Sequence, residues 1–178
     1  KLGSSDYFVV EADESDASFL AINPYIAIVT NIEDDHMDYY KSFSNLENAF
    51  RQFLRQIKPG GFAIVYGDDP CIKKISQEPL SRIISYGEAK TNDYYLQNWQ
   101  AKGIGSVFSV YQKGDHLAEI ELSVPGKHNA LNSLTTIIAG LEIGLKIDQI
   151  KKALKEFKGT KRRFEIIGRI GSVTIVDD

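Results

Sequence analysis

Short, uninterrupted apolar runs, set apart by helical or turn-forming stretches, constrain this chain more than any other feature. Asp6 to Asp13 (DYFVVEAD), Pro24 to Asn31 (PYIAIVTN), Phe62 to Pro70 (FAIVYGDDP) and Ser81 to Gly87 (SRIISYG) each carry consecutive apolar residues. That is the pattern of strands covered on both faces, as in parallel sheets. Helical grammar stands between them. Leu46, Ala49, Phe50, Phe53, Leu54 and Ile57 recur at helical spacing, Ser44-x-x-Glu47 reads as a capping box, and Pro59-Gly60-Gly61 ends the helix. Asp69 to Ile75 reads as a short helix opening with proline. The order β-α-β-α-β predicts an α/β fold with a mostly parallel sheet flanked by helices.

From Asp93 to Pro125 the grammar changes. YYLQNWQAKG, GSVFSVYQKG and HLAEIELSV follow one another through glycine-containing turns with no helix between them, which predicts a small antiparallel β subregion over 93–125. Two helices come next: HNALNSLTTIIAGLEIG, apolar on nearly all sides, and KIDQIKKALKEF, amphipathic with Asp148 as its N-cap. Strand character returns from Phe164 and closes on SVTIVDD. With no repeat and no low-complexity linker, residues 1–178 are expected to form one α/β domain with a β insertion. The start without methionine and the halt on two carboxylates just past a strand suggest a piece of something longer.

The formal net charge of -3 gives no electrostatic footprint for a polyanion, so nucleic acid is not expected as a partner. The lone Cys71 cannot close an internal disulfide, and no leader or ~20-residue apolar run is present, which predicts a cytoplasmic protein without a membrane partner. Cys71 and Trp99 read as structural.

Chemistry concentrates where strands end, because ligands of open α/β sheets collect at the carboxyl ends of the strands. Glu11, Asp13, Glu14 and Asp16 follow the first apolar run; Glu33, Asp34, Asp35, His36 and Asp38 follow the second. Like charges packed together need a cation or a proton, and oxygen ligands with one imidazole suit Mg2+ or Mn2+ that also holds phosphates. The alternative is acids favoured by a helix N-terminus, with solvated loop charge. Pro125 to Asn132 (PGKHNALN) is not a phosphate loop, since Glu121 and His128 stand where glycine and Ser or Thr are required. His128, Asn129 and Asn132 fall on about one turn and could meet a flat heterocycle such as adenine, or Asn129 could simply cap the helix. In Gly159 to Glu165 (GTKRRFE), Lys161, Arg162 and Arg163 precede a strand, and a loop arginine can hold two phosphate oxygens.

Taken together, EADESDASF (Glu11 to Phe19), VTNIEDDHMDYY (Val29 to Tyr40), GKHNALN, KRRFE and the terminal VDD resemble, in order and spacing, the Mur ligases of peptidoglycan synthesis. The resemblance spans essentially the whole chain, as the central ATP-binding domain with its P-loop NTPase-like fold, and the ADESDASF string favours the alanine-adding members. It implies ATP-dependent phosphorylation of the carboxylate of UDP-N-acetylmuramate and displacement of phosphate by the amine of L-alanine. It further implies Glu11 and His36 as catalytic metal ligands for Mg2+ or Mn2+ and Arg163 as a catalytic clamp on the terminal phosphate. Asn129 and Asn132 become adenine contacts and Asp178 a ribose contact. Asp13, Glu14 and Asp35 take supporting roles.

Two departures bear on this expectation. The glycine-rich phosphate loop belongs before Lys1, so these residues alone are expected to be catalytically silent and to bind ATP poorly. Several relatives hold a second cation with a carbamylated lysine on the helix after the histidine motif; Ser44 to Ile57 has none, so a glutamate there, Glu47, substitutes for it or the second cation is held differently. A murein tripeptide recycling ligase, a folylpolyglutamate synthase or cyanophycin-type enzyme, and a non-catalytic metal- or nucleotide-binding module are the competing readings.

Overall fold

The computed structural model describes residues 5–77, 81–160 and 165–177. Six strands form one sheet in the order β1 (Ile26–Val29), β2 (Phe62–Tyr66), β3 (Arg82–Gly87), β4 (Tyr94–Lys102), β5 (Gly105–Gln112) and β6 (Asp115–Leu122). β1 and β2 are parallel, as are β3 and β4, whereas β4, β5 and β6 run antiparallel. This is the expected α/β architecture, with the antiparallel subregion continuing the sheet. A separate antiparallel pair, β7 (Glu165–Ile170) and β8 (Val173–Asp177), follows. The chain forms two compact units, Lys1–Val65 with Asp69–Ile83, and Tyr66–Asp68 with Ile84–Asp178.

In the first unit, α1 (Met37–Tyr40) leads into α2 (Phe43–Arg55). The α2 cap is Ser42, in an extended conformation, whose hydroxyl accepts the Asn45 N–H at 3.3 Å. The helix thus starts two residues earlier than the Ser44 box implied, because the Asn45 side chain also donates to the Tyr40 carbonyl at 2.7 Å and closes the turn there. Leu46, Ala49, Phe53 and Leu54 are buried on one face, as their spacing predicted. Phe19 lies 5.3 Å from Phe50 and 5.1 Å from Phe53, centroid to centroid. These aromatic contacts pin the 3-10 turn Ser18–Ala21 onto α2, helped by the Gln56 amide donating to the Leu20 carbonyl at 3.0 Å. α3 (Pro70–Ile75) starts as expected, with Asp69 accepting the Ile72 N–H at 2.9 Å and proline at the first position.

One strand expectation fails. Asp6 to Asp13 has no regular secondary structure, and Phe8 and Val9 are 80% and 93% exposed. β1 is the outermost strand of the sheet, and the run has no ladder partner among the described residues. Apolar composition records what a segment can pack against; the neighbour itself must supply the hydrogen bonds and the cover.

In the second unit, Lys113 and Gly114, both at positive φ (49° and 99°), turn β5 into β6 as a two-residue primed hairpin does. α4 (Lys127–Glu142) packs on β4 and β5 and against α5 (Ile147–Glu156), which itself packs on β6. Leu134, Ile137 and Ile138 of α4 are fully buried, each contributing on the order of 1.5–3 kcal/mol. The α5 cap is Lys146, whose N–H donates to the Gln149 side-chain oxygen at 2.9 Å; Asp148 lies in the first turn, where its charge still suits the helix dipole. No helix among the described residues is long and apolar enough to cross a membrane.

Candidate active site

The acidic turn after the first apolar run is built by its own side chains. Asp13 accepts the Ser15 N–H at 2.8 Å and Asp16 the Ser18 N–H at 2.9 Å, local turns that these short acids favour. The hydrogen bonds from Ser15 and Ser18 hold the Asp13 and Asp16 carboxyls below the usual carboxylate range. The Glu14 carbonyl accepts the Ala17 N–H at 3.1 Å and also the hydroxyl of the buried Tyr40. Burial, ahead of nearby negative charge, pushes the Tyr40 phenol up.

His36 sits at a left-handed backbone position (φ 56°), just before α1. Its N–H donates to the Asp35 carboxylate at 2.8 Å, and its carbonyl accepts the N–H groups of Tyr39 and Tyr40 at 2.9 and 3.1 Å. The ring presents Nε2 to Glu14 Oε1 at 3.3 Å and to Asp35 Oδ2 at 3.9 Å. The structure therefore pairs His36 with Glu14, while Glu11 stands exposed at the end of its run. Among the described residues no three His, Cys, Asp or Glu side chains converge as a metal-holding group. His36 with Glu11 could supply only part of the ligand set of a hard cation such as Mg2+, which takes its remaining ligands from phosphate oxygens and water; the described residues do not form an all-protein cage.

Glu47 is removed from that chemistry. It is only 6% exposed, and its Oε1 accepts from Arg51 at 2.7 Å and Lys74 at 2.8 Å. Those two cations occupy the carboxylate that could have replaced a carbamylated lysine.

At the start of α4, Gly126 (φ 90°) is the N-cap residue. Asn129 does not cap the helix: half-buried, it turns its side-chain N–H back onto the Pro125 carbonyl at 2.6 Å. Asn132 is exposed one turn further on. Residues three apart share a helix face, so both amides lie on one side of α4, with Lys127 paired to Glu88 at its first residue. Arg163 and Asp178 lie outside the described residues, as do Lys161 and Arg162.

Two arrangements escaped sequence reasoning. The Glu14–His36 contact joins two loops across 22 positions of chain, with the Tyr40 hydroxyl holding the Glu14 carbonyl. After β2, Asp68 gathers the loop that follows β3, accepting from the Glu88 N–H (2.6 Å), the Ala89 N–H (3.2 Å) and the Asn92 amide (2.8 Å). A side chain at Gly87 would meet Asp68 at 2.4 Å, and one at Gly67 would meet Asn92 at 2.0 Å. The pairs Gly67-Asp68 and Gly87-Glu88 at two strand ends were the available signal.

The fold and the matched sequence define a ligase middle domain: residues 2–140 match the family described as Mur ligase middle domain. The chain belongs to the Mur ligase family of ATP-dependent ligases. It is 55% identical to the UDP-N-acetylmuramate–L-alanine ligase of Syntrophomonas wolfei over 181 aligned positions, which cover 100% of this chain and 39% of that protein. The crystal structure of the UDP-N-acetylmuramate–alanine ligase from Thermotoga maritima superposes with a TM-score of 0.81 at 27% identity, over 93% of this chain and 37% of that one. MurF ligase from Thermotoga maritima in complex with ADP has a TM-score of 0.74 at 19% identity, covering 90% of this chain and 37% of that one, a likeness of fold alone. The chain thus spans about two fifths of the relatives it matches.

Proposed function

We propose that this chain is the nucleotide-handling part of a cytoplasmic ATP-dependent ligase that joins L-alanine to UDP-N-acetylmuramate in peptidoglycan precursor synthesis. One observation carries the reading: the 55% identity to a UDP-N-acetylmuramate–L-alanine ligase runs the whole length of the chain.

A carboxylate resists attack by an amine because it has no leaving group. Transfer of the γ-phosphoryl group of ATP to a muramate carboxylate oxygen releases ADP and gives an acyl phosphate. The L-alanine amine then adds to the carbonyl carbon, and the tetrahedral intermediate expels phosphate and loses a proton from nitrogen to leave the amide. In this reading Glu11 and His36 hold a divalent cation, Mg2+ or Mn2+, which offsets repulsion between the carboxylate and the triphosphate. Arg163 bears on the terminal phosphate, Asn129 and Asn132 on adenine, and Asp178 on ribose. The shared face of Asn129 and Asn132 is compatible with the adenine assignment, and the acids around His36 with the cation assignment.

The 178 residues contain no Gly-x-x-x-x-Gly-Lys-Ser/Thr loop, whose backbone N–H groups cradle phosphates. The chain by itself is therefore read as catalytically silent and a poor binder of ATP. Phosphate release by the full-length protein, with ATP, Mg2+, UDP-N-acetylmuramate and L-alanine each omitted in turn, tests the reading. Release that requires both the nucleotide sugar and L-alanine upholds it; release that instead requires a preformed tripeptide moves the assignment to a recycling ligase.

A further inference from the structure

We propose that Glu88 is a positioning residue for the nucleotide: its carboxylate, paired with Lys127, fixes the first turn of α4 and with it the placing of Asn129 and Asn132. The inference rests on the adenine reading above and adds to it the residue that holds those amides against the strand ends.

The start of α4 is weakly specified by its own residues. Gly126 at the N-cap has no side chain to accept from the first-turn N–H groups, and the first helical bond, from the Ala130 N–H to the Gly126 carbonyl, is long at 3.4 Å. Asn129 gives its side-chain N–H to the Pro125 carbonyl at 2.6 Å. Lys127 takes the first helical position, where the positive end of the helix dipole opposes a cation. A carboxylate brought in from another element offsets both, and Glu88, ion-paired with Lys127, is that carboxylate.

Glu88 is itself placed by two strand ends. Its N–H donates to Asp68 Oδ2 at 2.6 Å, and the buried Asn92 joins Asp68 Oδ1 to the Ala89 carbonyl at 2.8 and 3.0 Å. The Gly67 N–H donates to the Tyr86 carbonyl at 2.8 Å, which ties the ends of β2 and β3 together just before this loop. A connection therefore runs from β2 through Asp68 to Glu88, and on through Lys127 to α4. Asn132, in the second turn of that helix, is exposed, and its side-chain amide has no partner among the described residues. Residue 88 serves the fold through its N–H and α4 through its carboxylate. Side-chain substitution tests the second role alone.

The test uses the full-length protein, with ATP titrated by calorimetry in the presence of Mg2+ and amide formation followed separately. Glu88→Ala should weaken ATP binding about 3–5-fold, the upper end of what a half-exposed ion pair contributes, while kcat at saturating ATP stays at the parent value. Glu88→Lys should weaken binding further, because two ammonium groups then meet at a helix N-terminus. Adding Lys127→Glu restores the pair with its charges exchanged and should recover the parent affinity to within about 2-fold. A general loss of folded protein would lower the binding stoichiometry and leave the Kd unmoved. Unchanged ATP affinity in both Glu88 variants, or a Glu88→Lys loss that Lys127→Glu does not recover, overturns the proposal. Asn132→Ala separates the two readings: weakened ATP binding in that variant upholds the adenine site whatever Glu88 does, and unchanged affinity removes the adenine reading and this inference together.

Discussion

Replacing Asp68 by asparagine changes almost no volume and should nonetheless destabilise the second unit substantially. Both carboxylate oxygens are acceptors: Oδ2 takes the Glu88 and Ala89 N–H groups at 2.6 and 3.2 Å, and Oδ1 takes the Asn92 amide at 2.8 Å. An asparagine has one acceptor oxygen, so whichever way it turns, its own NH2 faces a donor. Hydrogen bonds to a charged group contribute roughly 1.5–3 kcal/mol each. Water can replace the bonds at exposed Glu88 and Ala89, whereas Asn92 is only 5% exposed, although it keeps its bond to the Ala89 carbonyl at 3.0 Å. The net loss should be about 2–3 kcal/mol, which at a slope of roughly 2 kcal/mol/M lowers the urea midpoint by about 1–1.5 M. Trp99, the single tryptophan, lies on β4 in this unit and reports the transition by fluorescence. Gly87→Ala should be costly for the same reason, since its new carbon would stand 2.4 Å from Asp68 Oδ2. Combined with Asp68→Ala it should cost less, with a coupling of about 1 kcal/mol or more. An Asp68→Asn midpoint within about 0.3 M of the parent, at unchanged slope, would refute the two-sided acceptor reasoning.

Three further outcomes are expected. Lys74, and then Arg51, hold the Glu47 carboxyl below its ordinary value against the opposing effect of burial. Its folded value lies below its unfolded value near 4.5, so its stabilisation is fully present above that pH and is lost as pH falls through the folded value; urea midpoints measured down an acid series should fall less steeply in Glu47→Gln. Glu47→Ala at neutral pH takes the carboxylate from the largely buried Arg51, which keeps its bond to Asn48 at 2.9 Å, and should cost about 1–3 kcal/mol in the same unfolding assay. Burial, ahead of the Glu47 and Asp69 charges, pushes the Cys71 thiol up, so a thiol reagent at neutral pH should label Cys71 several-fold more slowly in the folded protein than in urea.

Much of the fold was legible because it depends on local grammar. The spacing of Leu46, Phe53 and Leu54 defined α2, Asp69-Pro70 opened α3, and glycine turns delimited β4 to β6. What failed locally was a matter of competing caps: Ser42 lies within reach of the Asn45 N–H and displaced Ser44, and Lys146 displaced Asp148. Tyr7 to Val10 failed for a different reason, since a strand is a property of a pair and the sequence of one member does not supply the other. The site divides in the same way. His36 and the α4 amides stand out as residue types at strand and helix ends, but Glu14 became the partner of the His36 ring only because Tyr40 draws the acidic turn against α1. Glu47, similar in type to the acids around His36, is buried between two cations that lie 4 and 27 residues away in sequence.

The central claim is that a carboxylate oxygen of the nucleotide sugar becomes the phosphoryl acceptor, and isotope transfer reports that event directly. UDP-N-acetylmuramate labelled with 18O in its carboxylate, turned over by the full-length protein with ATP, Mg2+ and L-alanine, should yield inorganic phosphate that carries one 18O for each amide formed. Unlabelled phosphate alongside labelled product would mean that the carboxylate was never phosphorylated, and would contradict the account.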